Sequence, residues 1–95
     1  MISSILNTSG PSHAADSVIL RRRQVEAQTG YSRSTIYLRI QQGLLTKPVS
    51  LGAKAVGWPA SEVRALNSAR IAGMADDGIR RLVQDLHNSR PALVE

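Results

Sequence analysis

A chain of 95 residues has room for one small domain with a modest core, which argues against an elaborate catalytic cleft. Aromatic residues are only 3% and phenylalanine is absent, so Leu, Ile, Val and Ala must pack around the single tryptophan, Trp58; the absence of cysteine excludes disulfides, thiolate nucleophiles and Cys-ligated metals. The net charge of +5 is uneven: residues 20–58 carry +6 (Arg21, Arg22, Arg23, Arg33, Arg39, Lys47 and Lys54 against Glu26), residues 1–19 carry −1, and residues 59–95 balance to zero.

A basic segment beside a neutral one suggests a polyanion-binding unit joined to a structural element, the bland alternative being a solvated charged face. Residues 1–17 are rich in Ser, Asn, Thr, Gly and Pro, lack sustained periodicity and read as a disordered N-terminal arm. Ile2, Ile5 and Leu6 follow no basic segment and stop at Asn7, which argues against a signal peptide. No run approaches the roughly 20 apolar residues of a membrane span, so a soluble cytoplasmic protein without a membrane partner is expected.

Val18-Ile19-Leu20 is either a small strand or the packed approach to a helix. A first helix is expected over Arg22 to Thr29, ending at Gly30, which tolerates positive φ. Ser32 is a good N-cap for a second helix from Arg33 to about Gln42, stopping at Gly43. Two short helices around Gly30-Tyr31-Ser32 have the spacing of a helix-turn-helix. Pro48 to Leu51 and Ala55 to Trp58 then alternate as strands around Gly52-Ala53-Lys54. Such a hairpin is a wing, with Val49, Leu51, Val56 and Trp58 expected on one inward face. Lys54 stands at its tip, either as a contact or as an incidental surface lysine.

A third helix is expected from Pro59 or Ala60 to Ala72, ending at Gly73, its apolar side drawn from Val63, Leu66, Ala69 or Arg70, and Ile71. A fourth, over Asp76 to Ser89, opens with two aspartates at the positive end of the helix dipole. Its stripe of Ile79, Leu82, Val83 and Leu86 either packs back on the domain or meets a partner. The expected architecture is mostly α: a winged helix-turn-helix domain over residues 18–73 and a C-terminal amphipathic helix over residues 74–95.

On the second helix, a 100° wheel turns Ile36 and Ile40 inward, to join Val49 and Trp58 in the expected core. Ser34, Leu38, Gln41 and Gln42 face outward, flanked by Thr35 and Tyr37. Recognition helices read bases from their N-terminal residues, so Arg33, Ser34 and Tyr37 lead the expected duplex contacts. Ser32, Thr35, Gln41 and Lys54 complete the set with Arg22 and Arg23, arginines that sit poorly at a positive helix end unless phosphates lie nearby. Leu38 suits a thymine methyl, or packing on the wing or a neighbouring protomer. Arg39 falls near the inward side, where a partly buried ion pair with Glu26 across the two helices is expected.

The run from Arg21 to Tyr37, RRRQVEAQTGYSRSTIY, together with Lys47 to Gly52 and Ala55-Val56-Gly57-Trp58, resembles the AlpA family of phage and mobile-element regulators over roughly residues 18–70. The resemblance implies a winged fold of the excisionase and MerR type, a bacterial, nucleoid-associated setting and control of an integrated element. Family members act on genes for integrase or excision functions, or as recombination directionality factors that bend attachment-site DNA. Many relatives read Ile-Tyr-Arg-Leu where this chain has Ile36-Tyr37-Leu38-Arg39, which removes an expected DNA-facing arginine.

The expected partner is double-stranded DNA, with self-association on adjacent sites, and no small-molecule ligand, cofactor or metal. The two histidines, His13 and His87, belong to no catalytic set or metal-ligand spacing, so no enzymatic activity is expected. The alternative reading is a protein-interaction or assembly module working through the Ile79–Leu86 stripe.

Overall fold

The computed structural model describes residues 17–91; the expected arm, His13 included, lies outside them apart from Ser17. The chain order is β1 (Ile19–Leu20), α1 (Arg22–Thr29), α2 (Arg33–Gln41), β2 (Val49–Ser50), β3 (Val56–Pro59), α3 (Ala60–Ile71) and α4 (Asp76–Asn88). This is a winged helix-turn-helix: α1 and α2 around the turn, a small antiparallel sheet as the wing, and two C-terminal helices.

Gly30 ends α1 with φ of 78°, and its N–H donates to the Glu26 carbonyl. That left-handed geometry strongly favours glycine, and it lets α2 start in a new direction only three residues later. Ser32 caps α2, its hydroxyl accepting the Thr35 N–H at 3.2 Å. Arg21 is a poor N-cap for α1, so Gln24 reaches back and accepts the Arg21 N–H at 2.8 Å.

The wing holds three strands, in the order β1-β3-β2, rather than the two of a simple hairpin. Leu20 pairs with Trp58 and Val49 pairs with Gly57. Directly paired residues share a face, so this register separates the expected apolar set. Trp58 and Leu20 face the helices and are buried, with Val56 beside them on that face. Val49, expected in the core, lies instead on the outer face with Gly57 and is only half-buried, while Leu51 is exposed. A Cβ at Gly57 would fall 2.5 Å from Ile19 Cγ2 and 3.0 Å from Leu51 Cδ1, so only a bare backbone fits beneath those side chains.

The core runs from Trp58 through Val25, Ile36, Val63, Leu66 and Ala69 to Ile79 and Val83, with Ile40 packed at its edge. Leu44, Leu45 and Thr46, between α2 and β2, are also buried, and the Trp58 indole N–H donates to the Thr46 carbonyl at 2.9 Å. On α3 the apolar side is Val63, Leu66 and Ala69; Ile71, expected to extend it, is 87% exposed. It stands two residues past Ala69, roughly 200° further round the helix, and so leaves the packed face.

Candidate nucleic-acid interface

The N-terminal end of α1, the middle of α2 and the tip of the wing converge on one side. Arg21, Arg22, Arg23, Tyr37, Lys54 and Val56 line a shallow concavity of about 410 Å³. Five of those six side chains are basic or phenolic. Arg21 Nε donates to the Val56 carbonyl at 3.1 Å, tying the start of α1 to the base of the wing. Arg23 and Lys54 are exposed, and so is Tyr37 at 40%. Their shared side therefore presents exposed cations and a hydrogen-bonding ring around a hollow, an arrangement suited to a polyanion.

The N-terminal turn of α2 forms a second group beside it. Arg33 and Ser34 are exposed and Thr35 is half-buried. Ser32 Oγ donates to Thr35 Oγ1 at 2.9 Å, and Ser34 Oγ lies 3.3 Å from Ser32 Oγ. Ser32 is thus engaged as a helix cap, leaving Arg33 and Ser34 the freer side chains of this turn. Leu38, 49% exposed, and Gln41 continue the outward face towards the C-terminal end.

The expected Glu26–Arg39 pair does not form. Glu26 binds Arg22 one turn earlier in α1. Arg39 instead lies over the Tyr31 ring, 5.6 Å from its centroid, and donates from a terminal guanidinium nitrogen to Gln42 Oε1 at 3.3 Å. Spacing of i, i+4 needs only the helix itself, whereas the cross-helix pair needs both helices placed, and so the local partner wins. Arg22 is correspondingly half-buried and ion-paired, which sets it apart from the exposed Arg23.

The family described as Prophage CP4-57 regulatory protein (AlpA) matches residues 18–71, a span that takes in β1, the helix-turn-helix, the wing and α3. The chain belongs to the AlpA family. An uncharacterized protein of Enterobacteria phage P4, ORF88, is 50% identical over 54 residues, covering 57% of this chain and 61% of the relative. No solved structure matches. AlpA proteins are prophage regulators, and the winged core that defines the family match carries the whole basic concavity.

The α4 helix lies beyond the AlpA match, and of the two uses expected for its stripe it takes the first, packing back on the domain. Its apolar stripe faces inward: Ile79 and Val83 are buried, and Leu82 and Leu86 pack against the core. An interaction module working through that stripe would have to detach the helix first. Glu62 of α3 is 4% exposed and receives two hydrogen bonds from Arg90, at 2.7 and 2.6 Å. Nothing in local periodicity marks that pair, because its members stand 28 residues apart. The Leu44-Leu45 doublet after Gly43 was a visible signal that the α2–β2 connector is buried. Among the described residues no helix is long and apolar enough to cross a membrane, and no cluster of His, Asp or Glu could hold a metal.

Proposed function

We propose that the chain is a sequence-specific double-stranded DNA-binding regulator of an integrated mobile element, with α2 as the helix that enters the major groove. The convergence of Arg21, Arg22, Arg23 and Lys54 around Tyr37 carries this reading. A groove-bound helix needs phosphate contacts beside it, and the α1 end and the wing tip supply cations around Tyr37 of α2. Arg33, Ser34 and Tyr37 are assigned to base edges and nearby sugar-phosphate; Arg23 and Lys54 are assigned to phosphates. Leu38 and Gln41 extend the reading face.

Selection from a randomised duplex library, followed by anisotropy titrations on the enriched duplex, tests the assignment. Replacing Arg33 and Tyr37 together by Ala should weaken the enriched duplex about 10- to 100-fold and flatten its preference over random duplex. Melting should barely change, since both side chains are exposed. Unaltered affinity and preference in a folded double variant would remove the proposal. The Arg23→Ala, Lys54→Ala pair should behave differently, weakening all duplexes alike and making the slope of log K against log salt shallower by about 1 per lost contact. An unchanged salt slope would take these two residues off the phosphates.

Transcriptional control and excision both use such a domain. Footprinting on the attachment site and the integrase promoter of the resident element separates them. Several phased sites at the attachment locus, filled by self-association, indicate a recombination directionality factor; one promoter site indicates transcriptional control.

A further inference from the structure

The connector between α2 and β2 joins the helix assigned to bases with the wing assigned to phosphates, and three side chains of the C-terminal region grip its backbone. Arg80 Nε donates to the Gln42 carbonyl at the end of α2, at 2.9 Å. His87 Nε2 accepts the Lys47 N–H at 3.0 Å. Arg90 donates to the Lys47 carbonyl at 2.6 Å while its guanidinium also holds both oxygens of Glu62. Between these fastenings the connector is pinned from inside by the buried Leu44, Leu45 and Thr46. Backbone groups are gripped, so the arrangement constrains the path of the chain whatever the connector's side chains do.

We infer that α4 together with Arg90 is a strap that sets the angle between the recognition helix and the wing, with Arg80, His87 and Arg90 as positioning residues for duplex reading. The inference rests on the winged DNA-binding reading above. It assigns a task to a helix outside the matched family segment, and it makes that task sensitive to pH.

Sensitivity comes from His87, because a protonated Nε2 is a donor and cannot accept the Lys47 N–H. Facing the imidazole are Arg90, Glu62 from α3 and Lys47 from the connector. Burial and the neighbouring Arg90 hold the His87 pKa below its ordinary 6.5; Glu62 opposes them, and Lys47 adds to the lowering. The neutral ring is therefore favoured by folding. Its contribution is complete above the unfolded value and is lost as pH falls through the lowered folded value, because the unfolded chain then binds the proton more readily. Acidification accordingly opens the middle fastening and places a third positive charge beside Arg90 and Lys47.

The test uses the full chain, the enriched duplex and the His87→Gln variant, which keeps an acceptor oxygen but does not titrate. Affinity of the wild type should fall about fivefold more than that of H87Q as pH falls from about 7.5 down through the lowered His87 value, the effect of losing one hydrogen bond. In the free protein, Lys47 amide exchange, corrected for its intrinsic rate, should lose protection over the same interval in the wild type and not in H87Q. Parallel affinity profiles overturn the strap's role in reading DNA while leaving the winged reading intact. Lys47 protection that persists in acid overturns the His87 fastening itself. A wild type with no preference for any enriched duplex removes the functional reading and this inference with it.

Discussion

Trp58→Ala should cost about 4 kcal/mol of folding free energy, the largest single loss available in this core. The indole is fully buried on the inner face of the sheet, paired with Leu20 across the β1–β3 ladder and hydrogen-bonded to the buried Thr46. Truncation removes the side chain that joins wing, connector and helices, and the close-packed aliphatic side chains of the core can refill only part of the space. For a small domain whose whole stability is about 5–10 kcal/mol, that leaves little margin. Trp58→Phe separates the two parts of the effect, since it keeps most of the volume but strands the Thr46 carbonyl, at about 1–3 kcal/mol. Urea denaturation followed by circular dichroism is the suitable measurement, because both variants abolish the protein's only tryptophan signal. Equal stabilities for the Ala and Phe variants would mean that the ring's bulk contributes nothing.

The helix-turn-helix was legible because its signals are local. Gly30 ends one helix, Ser32 starts the next, and each acts through atoms within four residues of itself. The sheet was legible only in part. Alternation along Pro48 to Leu51 marks a strand, yet which of its faces turns inward depends on register with β3, and that register pairs Val49 with Gly57 rather than with Val56. Val49 is turned to the outer face, opposite Gly57, whose missing side chain leaves room for Ile19 and Leu51 to cover it from outside.

Charges divide in the same way. The basic excess of residues 20–58 pointed to one side of the molecule, and the concavity gathers four of its cations there. The partners of individual charges were harder to foresee. Glu26 had a local arginine and a distant one within plausible reach, and a helix wheel drawn for α2 alone cannot rank them. Arg39, left without the carboxylate, found the face of Tyr31, so the residue braces α2 against the turn rather than against α1.

The Glu62–Arg90 pair gives the second large effect, and its two members should respond unequally. Glu62's side chain is 6% exposed and Arg90's 24%. Arg90→Ala leaves a carboxylate buried beside α3 with its partner gone, and also frees the Lys47 carbonyl, so a loss of about 3 kcal/mol is expected. Glu62→Met should cost less: the guanidinium can turn toward solvent while still bonding Lys47, and the methionine fills the vacated space. Adding Glu62→Met to Arg90→Ala should therefore restore about 1 kcal/mol or more, a coupling that a double-mutant cycle in urea reads directly. If Arg90→Ala were no worse than Glu62→Met, or if the double variant recovered nothing, the buried carboxylate would not be what makes the C-terminal strap hold.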